Sequence, residues 1–309
     1  MIYKSNKGRG LSVAGSILFI LFGINCARAQ QQAFTYTQYM DNLIPINPAY
    51  SLIDKAGSVS TLARKQLVGV NGSPVTFLLT GNVPFEDQNA AAGAIILDDQ
   101  IAIEQQTEVN VYFAKAIQLG LNDYLAVSLN AGIRSYIAQY TLVSPDDPTF
   151  KSDIRQTKPN LGFGVMYFTD RYYVGLSLPE LTITSLGTAS VQNTTNFANH
   201  YYFAGALLTD LSEDIKFKPA TLVSYSKGSP VVANFSGIFY LKDILGIGAD
   251  YRTSKQAAGI LTINADSFHI GYSYQFNVAS SDLGGFNLPT HEVTLSYRFG
   301  HGTVNPKLL

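Results

Sequence analysis

The sequence predicts an all-β protein, a transmembrane antiparallel up-and-down β-barrel of about 14 strands behind an irregular N-terminal segment. Three observations carry this. Residues 57–299 divide into short stretches in which apolar and polar residues alternate. No apolar run reaches the ~20 residues that a spanning helix needs. The chain opens with a basic, an apolar and then a small-residue region, the layout of an export signal. Alternation appears cleanly in the last strand, where Val293, Leu295, Tyr297 and Phe299 point one way and Thr294, Ser296 and Arg298 the other. Successive strand side chains lie on opposite faces, so one face suits lipid and the other water.

In order, residues 1–29 form the signal peptide. Lys4, Lys7 and Arg9 precede the apolar core Leu11 to Ile24, and Ala27-Arg28-Ala29 sets cleavage between Ala29 and Gln30. The core is shorter than a spanning helix, which argues against a retained anchor. Cys26 follows Asn25, a poor context for lipidation, and is the only cysteine. The mature chain therefore has no disulfide and no thiolate metal site. It keeps 17 basic residues against 22 acidic ones, a net charge of −5. Nucleic acid, which needs a basic surface, is excluded as a partner. Charged residues make up only 14% of the chain, against roughly 25% in typical soluble domains. The 19 tyrosines and 18 phenylalanines suit the aromatic girdles of a barrel in an outer membrane.

Residues 30–56 are irregular, as Pro45 and Pro48 prevent regular pairing. Strands are expected at 57–67, 74–83, 90–98, 105–118, 123–138, 160–169, 171–179, 200–211, 215–227, 231–241, 244–253, 256–264, 266–277 and 290–299, followed by a C-terminal periplasmic tail, 300–309. Glycines at 162, 164, 175, 246 and 248 fall on the inner face, where they relieve crowding. The sheet must close, because an open edge in lipid leaves backbone groups unpaired. A soluble β-sandwich is the competing architecture. The longest connectors, 139–159, 180–199 and 278–289, all join odd to even strands, and the even-to-odd turns are short. Outer-membrane barrels keep short turns in the periplasm, which places both termini there.

Catalytic signals are poor. His200, His269, His291 and His301 lack metal-ligand spacing. His291 and Glu292 are adjacent on a strand and so face apart. No Gly-x-Ser-x-Gly elbow occurs. Asp98-Asp99 and Asp146-Asp147 are read as solvated turn acids rather than calcium ligands, and Gly69-Val70-Asn71-Gly72 as a turn. The expectation is no enzyme, no metal and no cofactor. The segment 34–50 is the one unusual feature. Phe34, Tyr36, Tyr39, Met40, Leu43, Ile44, Ile46 and Tyr50 precede the first strand, and such residues do not remain in water. With Gln38, Asn47 and Pro48, they either pack in the lumen as a plug or dock a periplasmic partner, and proline fixes a turn in both cases.

This segment also carries a resemblance. Phe34-Thr35-Tyr36-Thr37-Gln38-Tyr39-Met40, then Ile46-Asn47-Pro48-Ala49-Tyr50, resembles the F-x-x-Y-M…NPAY opening of the PorP/SprF family of outer-membrane proteins, which belong to the type IX secretion and gliding machinery of Bacteroidota. Further matches follow in order: Arg64-Lys65-Gln66 with Val68-Gly69, Gly72 and Pro74, and Pro159-Asn160-Leu161-Gly162-Phe163-Gly164. Next come Tyr173-Val174-Gly175-Leu176-Ser177 with Pro179, then Tyr251-Arg252, Gly271-Tyr272-Ser273-Tyr274 and His291-Glu292. Leu67 stands where the family often has tryptophan, Gln275 where an aspartate often follows, and Thr290 where serine is usual. The resemblance implies a non-enzymatic cell-surface role in protein secretion and gliding motility. The implied partners are outer-membrane lipid, periplasmic type IX components and a secreted adhesin. An outer-membrane channel for a small substrate, closed by an N-terminal plug, is the alternative.

Overall fold

The computed structural model describes residues 34–142, 152–182, 197–278, 289–300 and 308–309. The predicted signal, Ala29 and Gln30, Asp146-Asp147 and His301 lie outside these. Fourteen long strands run in sequence order. They are β1 Gly57–Lys65, β2 Val75–Phe85, β3 Ala90–Ile101, β4 Glu104–Gln118, β5 Tyr124–Ala138, β6 Ile154–Phe168 and β7 Tyr172–Thr182. Then come β8 His200–Leu207, β9 Ile215–Ser226, β10 Val232–Leu241, β11 Leu245–Arg252, β12 Gln256–Ala265, β13 Phe268–Asn277 and β14 Thr290–Phe299. A two-residue piece, Thr209–Asp210, continues β8 along β9 in the same register past Leu208. Each strand pairs antiparallel with its sequence neighbours, and β14 returns to β1 from Gly57↔Phe299 to Lys65↔His291. The sheet is closed, as the backbone in lipid requires.

Alternation follows the predicted parity. On β14, Val293, Leu295 and Tyr297 are exposed on the outer wall while Thr294 is buried inside. On β5, Val127, Leu129 and Ile133 face out, and Ser128, Asn130 and Arg134 face in. Aromatic rings collect at both ends of the outer wall. Phe217–Phe239 and Phe268–Tyr297 pack together at the short-turn end, and Tyr201–Tyr225 and Tyr274–His291 at the other. These are the girdles that favour the two membrane interfaces. The turn Lys242-Asp243 has positive φ at both residues, 52° and 60°, the primed geometry whose twist matches the strands it joins.

Several strands outrun their sequence-based bounds. β6 begins at Ile154 rather than 160, paired with Ala138, and β3 reaches Ile101. The added residues, such as Arg155, Thr157 and Lys158, are polar on both faces. Beyond the lipid band both faces meet water, so periodicity carries no signal there while backbone pairing continues. β7 runs to Thr182 because of a bulge. Between Leu161↔Leu181 and Phe163↔Leu178, β7 has one residue more than β6. Pro179 and Glu180 are consequently both buried, and parity reverses so that Glu180 and Thr182 point into the barrel. The Pro179 carbonyl, displaced from regular pairing, accepts hydrogen bonds from Asn130 at 2.9 Å and Asn160 at 3.5 Å.

Candidate functional site

The barrel interior is filled by the chain's own N-terminal segment. Residues Tyr36 to Ile53 are almost wholly buried, and their partners come from the inward faces of strands around the whole wall. The segment descends the lumen. The Phe34 carbonyl accepts a hydrogen bond from Tyr202 OH at 2.9 Å, and the Thr35 carbonyl accepts one from Arg64 at 3.1 Å, both near the long-connector end. At the opposite end, Asp54 pairs with Arg298 at 2.6 Å just before β1 begins. Phe34 thus lies at the end away from the short turns. A segment resting wholly beneath the barrel is not what this geometry gives.

The upper anchor is Glu292, fully buried on β14. Its carboxylate lies 3.0 Å from Arg64 Nε, accepts the backbone N–H of Thr37 at 2.8 and 3.0 Å and of Gln38 at 3.3 Å, and accepts Ser273 Oγ at 3.2 Å. Gln38 Nε2 donates to the Glu292 carbonyl at 3.3 Å, and Thr37 Oγ1 to Gln275 at 3.3 Å. Arg64 and Glu292 are direct cross-strand partners at the closing seam. Two sequence motifs 228 positions apart therefore meet the first motif of the chain at one point. His291, one residue earlier, faces outward and hydrogen-bonds Tyr272 at 2.8 Å.

Below this anchor, Tyr39 OH lies 2.9 Å from Ser236 Oγ, itself 2.7 Å from Asp250. Lys218 Nζ donates to the Met40 carbonyl at 2.7 Å, and Asn42 donates to Thr80 at 2.9 Å. Asp41 sits 3.5 Å from His269 Nε2 and from Tyr240 OH. Asn47 caps the single-turn helix Pro48–Leu52, accepting from Ala49 N–H at 3.2 Å, with Pro48 at its first position. Its amide also donates to the Val165 and Leu176 carbonyls at 3.1 and 3.3 Å. The wall makes room for it. A Cβ at Gly164 would meet Asn47 Oδ1, one at Gly175 would meet Asn47 Nδ2, and one at Gly271 would meet Gln38 Oε1. Tyr50 packs edge-on to Tyr173 at 5.6 Å and donates to the Leu309 carbonyl at 2.9 Å. Leu308 and Leu309 are buried in the same cluster.

A second buried polar centre belongs to the wall alone. Arg134 lies 2.7 Å from Glu108 and 3.2 Å from Glu180, and donates to Thr182 at 3.0 Å. His200 meets Glu180 at 2.9 Å, and the Phe197 ring faces Arg134 at 5.3 Å. The carboxylates of Asp98 and Asp99 are taken up by Gln105, Thr107 and Thr76. Among the described residues, no cluster of His, Cys, Asp and Glu has metal-binding geometry.

Phe34, Tyr36, Gln38, Tyr39, Met40, Asn47, Pro48 and Tyr50 are thus gathered in one place. Of their wall partners, Arg64 and Glu292 stood in the family-like motifs without a role at this site, and Lys218 was not named. The usable signal was charge at inward parity: a charged residue on the inner face of a membrane strand needs a partner.

These features define a class: closed outer-membrane β-barrels whose lumen holds a segment of their own chain. The family model described as "Type IX secretion system membrane protein PorP/SprF" matches residues 28–297, and the chain belongs to that family. No curated protein matches it. In fold it is similar to two solved monoaromatic hydrocarbon channels. One is a TodX mutant, at 10% identity, covering 84% of this chain and 94% of that one, TM-score 0.52. The other is CymD, at 10% identity, covering 88% and 95%, TM-score 0.52. At that identity the likeness establishes the barrel fold alone. Family and fold place the chain in the outer membrane as a type IX secretion component.

Proposed function

We propose that this chain is a non-enzymatic, plugged outer-membrane component of type IX secretion and gliding, which binds periplasmic machinery, a secreted surface adhesin, or both. The observation that supports this reading most is the seating of 34–53. Hydrogen bonds from strands on all sides of the wall hold it, and several of the residues involved, Arg64, Glu292 and Asn47 among them, belong to the family-like motifs. A segment held in this way closes the lumen, and the ends of the barrel do the recognising. The short turns face the periplasm, so Phe34 lies toward the cell exterior and Asp54 toward the periplasm. Residues 1–29 are a cleaved signal.

The test combines two measurements. Purified wild-type protein in a planar bilayer gives no steady conductance. Affinity purification from native membranes recovers type IX components, and a strain lacking the chain fails to export a cargo. Steady channels with normal export would instead support a small-substrate channel.

A further inference from the structure

At the short-turn end, a cleft opens between the turns that join β2 to β3, β4 to β5 and β6 to β7. Tyr124 and Phe168 stack along it at 5.2 Å, with Pro84, Phe85 and Ala116 beside them. Its remaining wall is not barrel at all. Leu52, Ile53, Asp54 and Lys55, the base of the luminal segment, complete the lining. Next to the cleft, at the tip of the β4–β5 turn, Leu121 is 94% exposed. A leucine so placed lies beyond the paired strands, with apolar area that neither the barrel nor the luminal segment covers. With Leu119, 60% exposed in the same turn, it makes apolar surface beside a concave cleft with an aromatic wall, which marks an interaction site.

Charge identifies the occupant. Glu86 and Asp170 line the cleft, with Asp87 adjoining. All three are exposed, and none forms an ion pair among the described residues. Asp54 is already neutralised by Arg298, and the two cations at this rim, Lys55 in the lining and Lys115 bonded to the Gln88 carbonyl, are outnumbered by the three acids. Such a rim repels anionic lipid headgroups, and it repels a second copy of a chain that carries the same acids. It attracts a cationic partner and steers its approach. We propose that this cleft docks a protein segment carrying an apolar anchor side chain flanked by Lys or Arg. Because Leu52 to Lys55 form part of the lining, the docked segment touches the foot of the luminal segment directly. The inference rests on the periplasmic facing of the short turns argued above.

The experiment uses the full chain in native outer membranes. Leu121 is replaced by the photo-crosslinking residue benzoylphenylalanine, with Val231, exposed at the opposite end, as the control position. The same crosslinker is then placed in the triple variant Glu86→Lys, Asp87→Lys and Asp170→Lys. These are surface turn positions, and heat-modifiable gel mobility reports whether the barrel has folded. The expected result is an adduct at Leu121, absent at Val231, mapped by mass spectrometry to a Lys- or Arg-flanked apolar segment of a protein. In the triple variant its yield falls about tenfold or more. An adduct of undiminished yield in that variant overturns the proposal, as does one formed only with lipid or with a second copy of this chain. Cargo export, scored separately, tells the two readings apart. A charge-sensitive adduct with normal export keeps the docking cleft and removes the secretion role. Export that depends on the chain, with no charge-sensitive adduct, removes the cleft alone.

Discussion

Arg64 and Arg134 are both buried inside the barrel against glutamates, but their surroundings differ. Arg134 is satisfied by Glu108, Glu180 and Thr182, all on strands, so its ion pairs tie β4, β5 and β7 to one another. Arg64 shares its glutamate with backbone N–H groups of Thr37 and Gln38, so that centre joins wall to lumen. Both remove charge from water, which on its own is unfavourable. The difference lies in what is lost when a partner is removed. At the Arg134 centre the wall is left with unpaired carboxylates. At the Glu292 centre Arg64 is stranded too, but the luminal segment loses its anchor while β1 and β14 stay joined by their backbone pairing.

Targeted substitutions probe that difference. Arg134→Ala leaves Glu108 and Glu180 buried without their shared cation, at a cost of about 3–5 kcal/mol. The barrel should lose its slow-migrating folded form at lower temperature, with the lumen closed until it melts. Glu292→Ala strands Arg64 and two backbone donors at a similar cost of about 3–5 kcal/mol. Here the wall should keep its heat-modifiable mobility, while conductance appears and chymotrypsin reaches Tyr36 and Tyr39, which are buried in the intact protein. If the two variants exchanged phenotypes, the distinction would be reversed. Glu292→Gln keeps the volume and loses the charge, and is expected to fall between Glu292→Ala and wild type.

Gly164→Ala sharpens the comparison on the wall side, since its new methyl falls on Asn47 Oδ1. Overpacking of this sort costs about 1–3 kcal/mol and should loosen the segment without lowering the melting point of the strands. Asn47→Ala removes the helix cap together with its two bonds to the wall, for about 1–2 kcal/mol, read by proteolysis of the segment.

Much of the architecture was legible in the chain. Val293, Leu295 and Tyr297 against Thr294 and Ser296 announced two faces in different solvents, and lipid on one face forces closure. The apolar content of 34–50 also showed that this segment needs cover. What it packs on was not legible. Arg64, Glu292 and Thr37 meet because the first and last strands pair at the seam, a contact between opposite ends of the sequence. Strand ends beyond the lipid band were invisible because residues such as Arg155 and Lys158 meet water on both faces, so no alternation records them.

Local pattern thus determined strand, side and closure, because each depends on the solvent that successive residues face. The tertiary structure alone decided the descent of residues 34–53 through the lumen, the pairing of Arg64 with Glu292 across the seam, and the turning of Glu180 inward by one extra residue in β7. Each of these depends on the register between distant strands, and register is set by how the whole wall closes.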